Sequence, residues 1–147
     1  MASGLDDLYR DIILDHYRTP RNRGRLEIPT IATHGDNPLC GDEIEVSLLV
    51  EDGHISDLRF DGKGCSISQA SASMMTEAVK GKTLSEARDL VSGFKGMMQG
   101  EEPDDDLGDI EALQGVRKYP VRIKCALLSW TTLLESVEAY ERANRGK

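Results

Sequence analysis

A chain of 147 residues, 39% hydrophobic and 30% charged, is long enough to bury one core without disulfide staples, and this composition excludes intrinsic disorder. A formal net charge of −8 argues against general affinity for nucleic acid phosphates or an anionic membrane, so partners are expected to be proteins. No apolar run approaches the roughly 20 residues that span a bilayer, and MASGLDDLYRDI lacks the basic-then-apolar order of a secretory signal, so the expected location is cytoplasmic.

Leu5, Leu8, Tyr9, Ile12, Ile13 and His16 recur at three and four residues, and Ser3 with Asp6 resembles a capping box. They predict a helix that ends near Pro20. Residues 20–38 are rich in Pro, Arg, Asn, Gly and Thr, which predicts an extended loop with room for one short strand. Ile44, Val46, Leu48 and Val50 then alternate, Glu51-Asp52-Gly53 supplies a turn, and Ile55, Leu58 and Phe60 follow. The pattern is a hairpin with one buried face.

Beyond Gly62 and Gly64, the small residues of CSISQASASMMTEAVKG suit a helix packed closely on that sheet and ended by Gly81. Thr83-Leu84-Ser85-Glu86 has capping-box order and opens a helix carrying Ala87, Leu90, Val91, Phe94 and Met98 on one side. GEEPDDDLGD at 100–109 breaks it, Asp109 can cap a short helix over Ile110 to Leu113, and a last long helix carries Leu127, Trp130, Leu134 and Val137. Met74, Met75, Met97 and Met98 read as core. The sum is one α+β domain over residues 1–147, a small antiparallel sheet with helices packed on it.

Three cysteines are an odd number, which in a chain without a secretion signal points to metal or thiol chemistry. Cys40 and Asp42 flank one glycine and can point the same way in extended backbone. Cys65 follows Gly62-Lys63-Gly64, where glycine permits unusual backbone angles, and it precedes a helix. Cys125 is placed at or near another helix start. Helix N-termini favour thiolate over thiol. Three thiolates and one carboxylate suit tetrahedral zinc, with two negative charges in excess that Arg122 and Lys124 could offset. The intervals of 25 and 60 residues match no compact zinc finger, so spacing alone leaves a metal cage and buried structural cysteines as alternatives.

The segments ILDHYRTPRNRG (13–24), NPLCGDEIEV (37–46), FDGKGCSISQASASMM (60–75) and YPVRIKCALLSW (119–130) resemble, in order, the IscU/NifU-type iron–sulfur scaffold proteins, and more closely their SufU branch. The resemblance covers nearly all the chain. It implies that Cys40, Asp42, Cys65 and Cys125 converge on one metal site. It also implies a tightly bound zinc ion and a persulfide relay, with Cys40 as acceptor, from a PLP-dependent cysteine desulfurase (SufS-type) to a cluster-building complex (SufBCD-type). The PLP would belong to the desulfurase. Cys40 would swing out while Asp42, Cys65 and Cys125 hold the zinc. IscU scaffolds usually carry histidine where this chain has Lys124, and a Leu-Pro-Pro-Val-Lys segment where it has Tyr119 to Ile123. That departure favours sulfur transfer over the alternative, a scaffold for a transient [2Fe-2S] cluster. An extra stretch at about 96–117, with the acidic run 101–106, is a further branch feature.

Arg122 is a candidate catalytic residue, stabilising the site or the mobile Cys40 thiolate. His16 falls on the apolar side of its helix and is expected to be packed or to serve docking rather than to be a ligand, and His34 and His54 are ordinary loop or turn residues. Arg18, Arg21, Arg23 and Arg25 are either solvated charge or a patch that steers an acidic partner.

Overall fold

The computed structural model describes residues 4–38, 41–101 and 108–145. Helix α1 (Gly4–Arg18) precedes three strands, β1 (Ile31–Asn37), β2 (Asp42–Glu51) and β3 (His54–Lys63). Helices α2 (Ser66–Val79) and α3 (Leu84–Met98), a 3-10 helix (Gly108–Lys118) and α4 (Pro120–Arg145) follow. The sheet is antiparallel in the order β1-β2-β3. This is the expected α+β arrangement.

The β2–β3 hairpin closes on Asp52 and Gly53, both with positive φ (52° and 76°), a two-residue turn whose twist matches that of the strands. Alternation then buries one face: Val46 pairs with Phe60 and Leu48 with Leu58, and all four are inaccessible to solvent. Strand β1 extends the sheet where the sequence predicted mostly loop. Its residues IATHGDN show no apolar alternation, and what makes them a strand is full pairing with β2 under α4. Gly35 allows that packing, since a Cβ there would sit 2.1 Å from Thr132 Oγ1 on α4.

Helix α2 buries ten of its residues, mostly small ones, against the sheet and α4. Ser71 Oγ donates to the Ala126 carbonyl at 2.6 Å and accepts from Trp130 Nε1 at 3.0 Å, so the indole is satisfied in the core. Phe94 of α3 stacks on the same ring at 4.5 Å. The capping box at Thr83 and Glu86 is formed in both directions, and the Thr83 hydrogen bonds hold the Glu86 carboxyl below its ordinary range. All four core methionines are buried as expected.

The 3-10 helix runs past the predicted Leu113 to Lys118, and α4 begins at Pro120, where proline lacks only a donor that the first turn leaves unused anyway. Of the acidic run, Glu101 is exposed and residues 102–107 lie outside the described residues, as does Ser3 of the first capping box. His16 is fully buried. Its Nδ1 hydrogen-bonds with Ser73 Oγ at 2.8 Å and its Nε2 with Asp109 Oδ2 at 2.9 Å, which ties α1, α2 and the 3-10 helix together. His16→Ala should leave a cavity and a buried hydroxyl short of a partner, and should cost about 2–3 kcal/mol, read as a lower urea midpoint. Among the described residues no helix is long and apolar enough to cross a membrane.

Candidate metal centre

Each described donor reaches the site by a different local device. Asp42 is the first residue of β2 and is fully buried. Cys65 is the N-cap of α2: its backbone is extended (φ −70°, ψ 170°) and its Sγ accepts from the Ser68 N–H at 3.5 Å. A cysteine therefore occupies a position usually held by serine or aspartate, with a free helix amide aimed at its sulfur. Cys125 lies on the second turn of α4, buried at 1% exposure. The helix-start placement therefore holds for Cys65 but not for Cys125, because α4 begins already at Pro120.

The ligand atoms of Asp42, Cys65 and Cys125 lie within 4.8 Å of one another. Asp42 Oδ1 accepts from the Cys65 N–H at 3.0 Å, whereas its buried Oδ2 has no hydrogen-bond partner among the described residues. A buried carboxylate oxygen left unpaired is costly, and two sulfur atoms beside it cannot donate well enough to offset that. A divalent cation answers the deficit, and the S/S/O donor set suits zinc. Cys40 lies outside the described residues.

Gly62 and Gly64 serve different ends, where the sequence suggested only unusual backbone angles. Gly62 has φ +149°, and a Cβ there would lie 2.1 Å from the Glu43 carbonyl oxygen. Gly64 is not among the residues with positive φ, and a Cβ on it would meet Asp42 Oδ1 at 2.4 Å. Sequence reasoning missed that second role, because the contact is with a residue 22 positions away.

Arg122 and Lys124 are exposed on the first turns of α4. Arg122 lines an open groove of about 740 Å³ with Ile13, Ile67, Val116, Lys118 and Tyr119, the last 61% exposed. The other basic stretch is largely paired within the chain. Arg21 bonds Asp15 at 2.6 Å, and that carboxyl is held low as a result; Arg23 reaches Asp61 and the Gly62 carbonyl, and Arg25 reaches Glu45 and Asp61. Those contacts brace the 20–30 segment against β3 and weaken its case as a docking patch. His34 and His54 are exposed.

Residues 8–126 match the family described as the NifU-like N-terminal domain. A Bacillus subtilis (strain 168) protein named zinc-dependent sulfurtransferase SufU is 51% identical over 144 residues, 97% of each chain. A Streptococcus pyogenes serotype M1 protein named iron–sulfur cluster assembly scaffold protein IscU is 42% identical over 138 residues, 92% of this chain and 86% of that one. Among solved structures, an iron–sulfur cluster assembly scaffold protein for the SUF system of Fervidobacterium islandicum AW-1 superposes with a TM-score of 0.83. Its sequence identity is 37%, over 86% of this chain and 94% of that one. With its strands, its helices and its Asp-Cys-Cys cluster spanned by these matches, the chain belongs to the NifU-like N-terminal domain family.

Proposed function

We propose that this chain is a zinc-dependent sulfurtransferase of iron–sulfur cluster assembly, which takes persulfide sulfur from a cysteine desulfurase onto Cys40 and passes it on. The observation that carries the reading is the unpaired, buried Oδ2 of Asp42 beside the sulfurs of Cys65 and Cys125. The name of the Bacillus subtilis relative supports it. Cys40, Asp42, Cys65 and Cys125 are the residues that would hold zinc. When bound, the ion supplies positive charge that keeps thiolates deprotonated at neutral pH.

The chain's own contribution is a nucleophile and its orientation. The Cys40 thiolate attacks the sulfane sulfur of the desulfurase persulfide. A new S–S bond forms on Cys40, the old one breaks, and the desulfurase cysteine leaves as a thiolate. The partners in this reading are a PLP-dependent desulfurase of the SufS type and a cluster-building complex of the SufBCD type. Arg122, on the rim of the groove beside the start of α4, would orient the incoming persulfide or the mobile thiolate, and Lys118 beside it makes that rim cationic on an acidic protein.

The second reading, assembly of a transient [2Fe-2S] cluster on the same four residues, draws on the Streptococcus pyogenes relative named as a scaffold. Metal analysis of the purified protein, combined with anaerobic reconstitution with iron and sulfide, separates the two. The expected result is one tightly held zinc per chain and no stable visible chromophore. A stoichiometric, transferable cluster formed with sulfur transfer intact would sink the zinc relay.

A further inference from the structure

We propose that Gly64 is a positioning residue for the metal centre: its missing side chain is the space in which the Asp42 carboxylate is held with one oxygen engaged and the other presented. Three contacts carry this. A Cβ on Gly64 would stand 2.4 Å from Asp42 Oδ1, 2.9 Å from its Cγ and 3.0 Å from Ser68 Oγ. Oδ1 in turn accepts the Cys65 N–H, so the carboxylate lies directly against the Gly64–Cys65 backbone. Oδ2 is thereby the oxygen left without a partner among the described residues.

The backbone at residue 64 gives no reason for glycine, since its φ is not positive. Gly62, two residues earlier, is the contrasting case: its φ of +149° and its closeness to the Glu43 carbonyl both require glycine. At Gly64 the demand comes from a side chain, and that side chain is a proposed ligand. Asp42 is short and fully buried, so it cannot yield a few tenths of an ångström and stay in place. It has to turn out of the site. One consequence is that Asp42 and Cys65 behave as a unit, a carboxylate tied to the amide of the very cysteine beside it, which suits them to the holding rather than the mobile part of the centre.

The inference rests on the reading that this cluster binds zinc, and the test separates the two. Zinc affinity is measured by competition with a chromophoric chelator for wild type, Gly64→Ala, Asp42→Ala and the double variant, with far-UV circular dichroism and the melting temperature of each metal-free protein alongside. Gly64→Ala is expected to bind zinc about 10- to 100-fold more weakly, the range for loss of a residue that supports a ligand. In the Asp42→Ala background the same change should do almost nothing, because the atom it displaces is gone. Should Gly64→Ala fail to fold while the double variant folds, the conflict with Asp42 is established by that rescue. Wild-type affinity for Gly64→Ala, an equal loss in both backgrounds, or misfolding in both would overturn the proposal. If the wild type itself holds no zinc, the functional reading fails first.

Discussion

Cys40→Ala is expected to return cysteine desulfurase turnover to the rate of the desulfurase alone, under conditions where the wild-type chain stimulates it strongly. The measurement is sulfide release from cysteine in the presence of reductant, with zinc content determined on the same samples. The effect should be close to complete because the variant has no other nucleophile to offer. Cys125 is 1% exposed, and Cys65 already uses its sulfur to cap α2. Cys125 cannot reach a persulfide on another protein without opening α4, and Cys65, although half-buried, would be engaged as one of the holding ligands of the zinc. Asp42, Cys65 and Cys125 remain in the variant, so zinc should be retained with lower affinity, and loss of stimulation should not track loss of metal. Arg122→Ala is expected to retain partial stimulation with a raised half-saturating concentration, as suits an exposed residue on a groove rim. Equal stimulation by wild type and Cys40→Ala would remove Cys40 from the reaction.

Gly62→Ala should be the most damaging single-methyl change in the sheet, destabilising the protein by about 4 kcal/mol or more, with a lowered denaturant midpoint as the readout. Two costs act together. The residue sits at φ +149°, a backbone region that side chains rarely adopt, and the new Cβ would stand 2.1 Å from the Glu43 carbonyl oxygen and 2.8 Å from Ile44 Cα. All the atoms it meets are backbone in the neighbouring strand, so relief requires β2 and β3 to separate where Ile44 pairs with Gly62. Position 62 lies three residues before Cys65 and its partner strand starts at Asp42, so the distortion should reach the metal centre and weaken zinc binding as well. A midpoint within about 1 kcal/mol of wild type would show that the strand end relaxes freely.

Much of the architecture was legible because the chemistry is local. The Asp52-Gly53 turn, the alternation through β2 and β3, and the Thr83/Glu86 capping box each act over fewer than about a dozen residues. Strand β1 was barely visible, since Ile31–Asn37 owes its conformation to pairing with β2 and to the α4 side chains above Gly35 rather than to its own composition. The sequence ends the helix after Asp109 at Leu113 whereas the 3-10 helix continues to Lys118, since nothing between Leu113 and Tyr119 announces whether the chain continues winding. His16 was expected to be packed or to dock, and it is packed. Its partners on α2 and the 3-10 helix, Ser73 and Asp109, could not be read in advance.

For the metal centre, the sequence by itself determined the donor types: three cysteines with one aspartate two residues from the first. Their spacing left open whether they meet. Only the tertiary structure decided that Asp42, Cys65 and Cys125 do, because the packing of α2 and α4 on the sheet closes intervals of 23 and 60 residues into a few ångströms. It also decided which glycine the backbone requires, Gly62, and which lies against the Asp42 carboxylate, Gly64. Sequence patterns report the preferences of neighbouring residues, while a contact between the start of a strand and the turn before a helix exists only once both are packed.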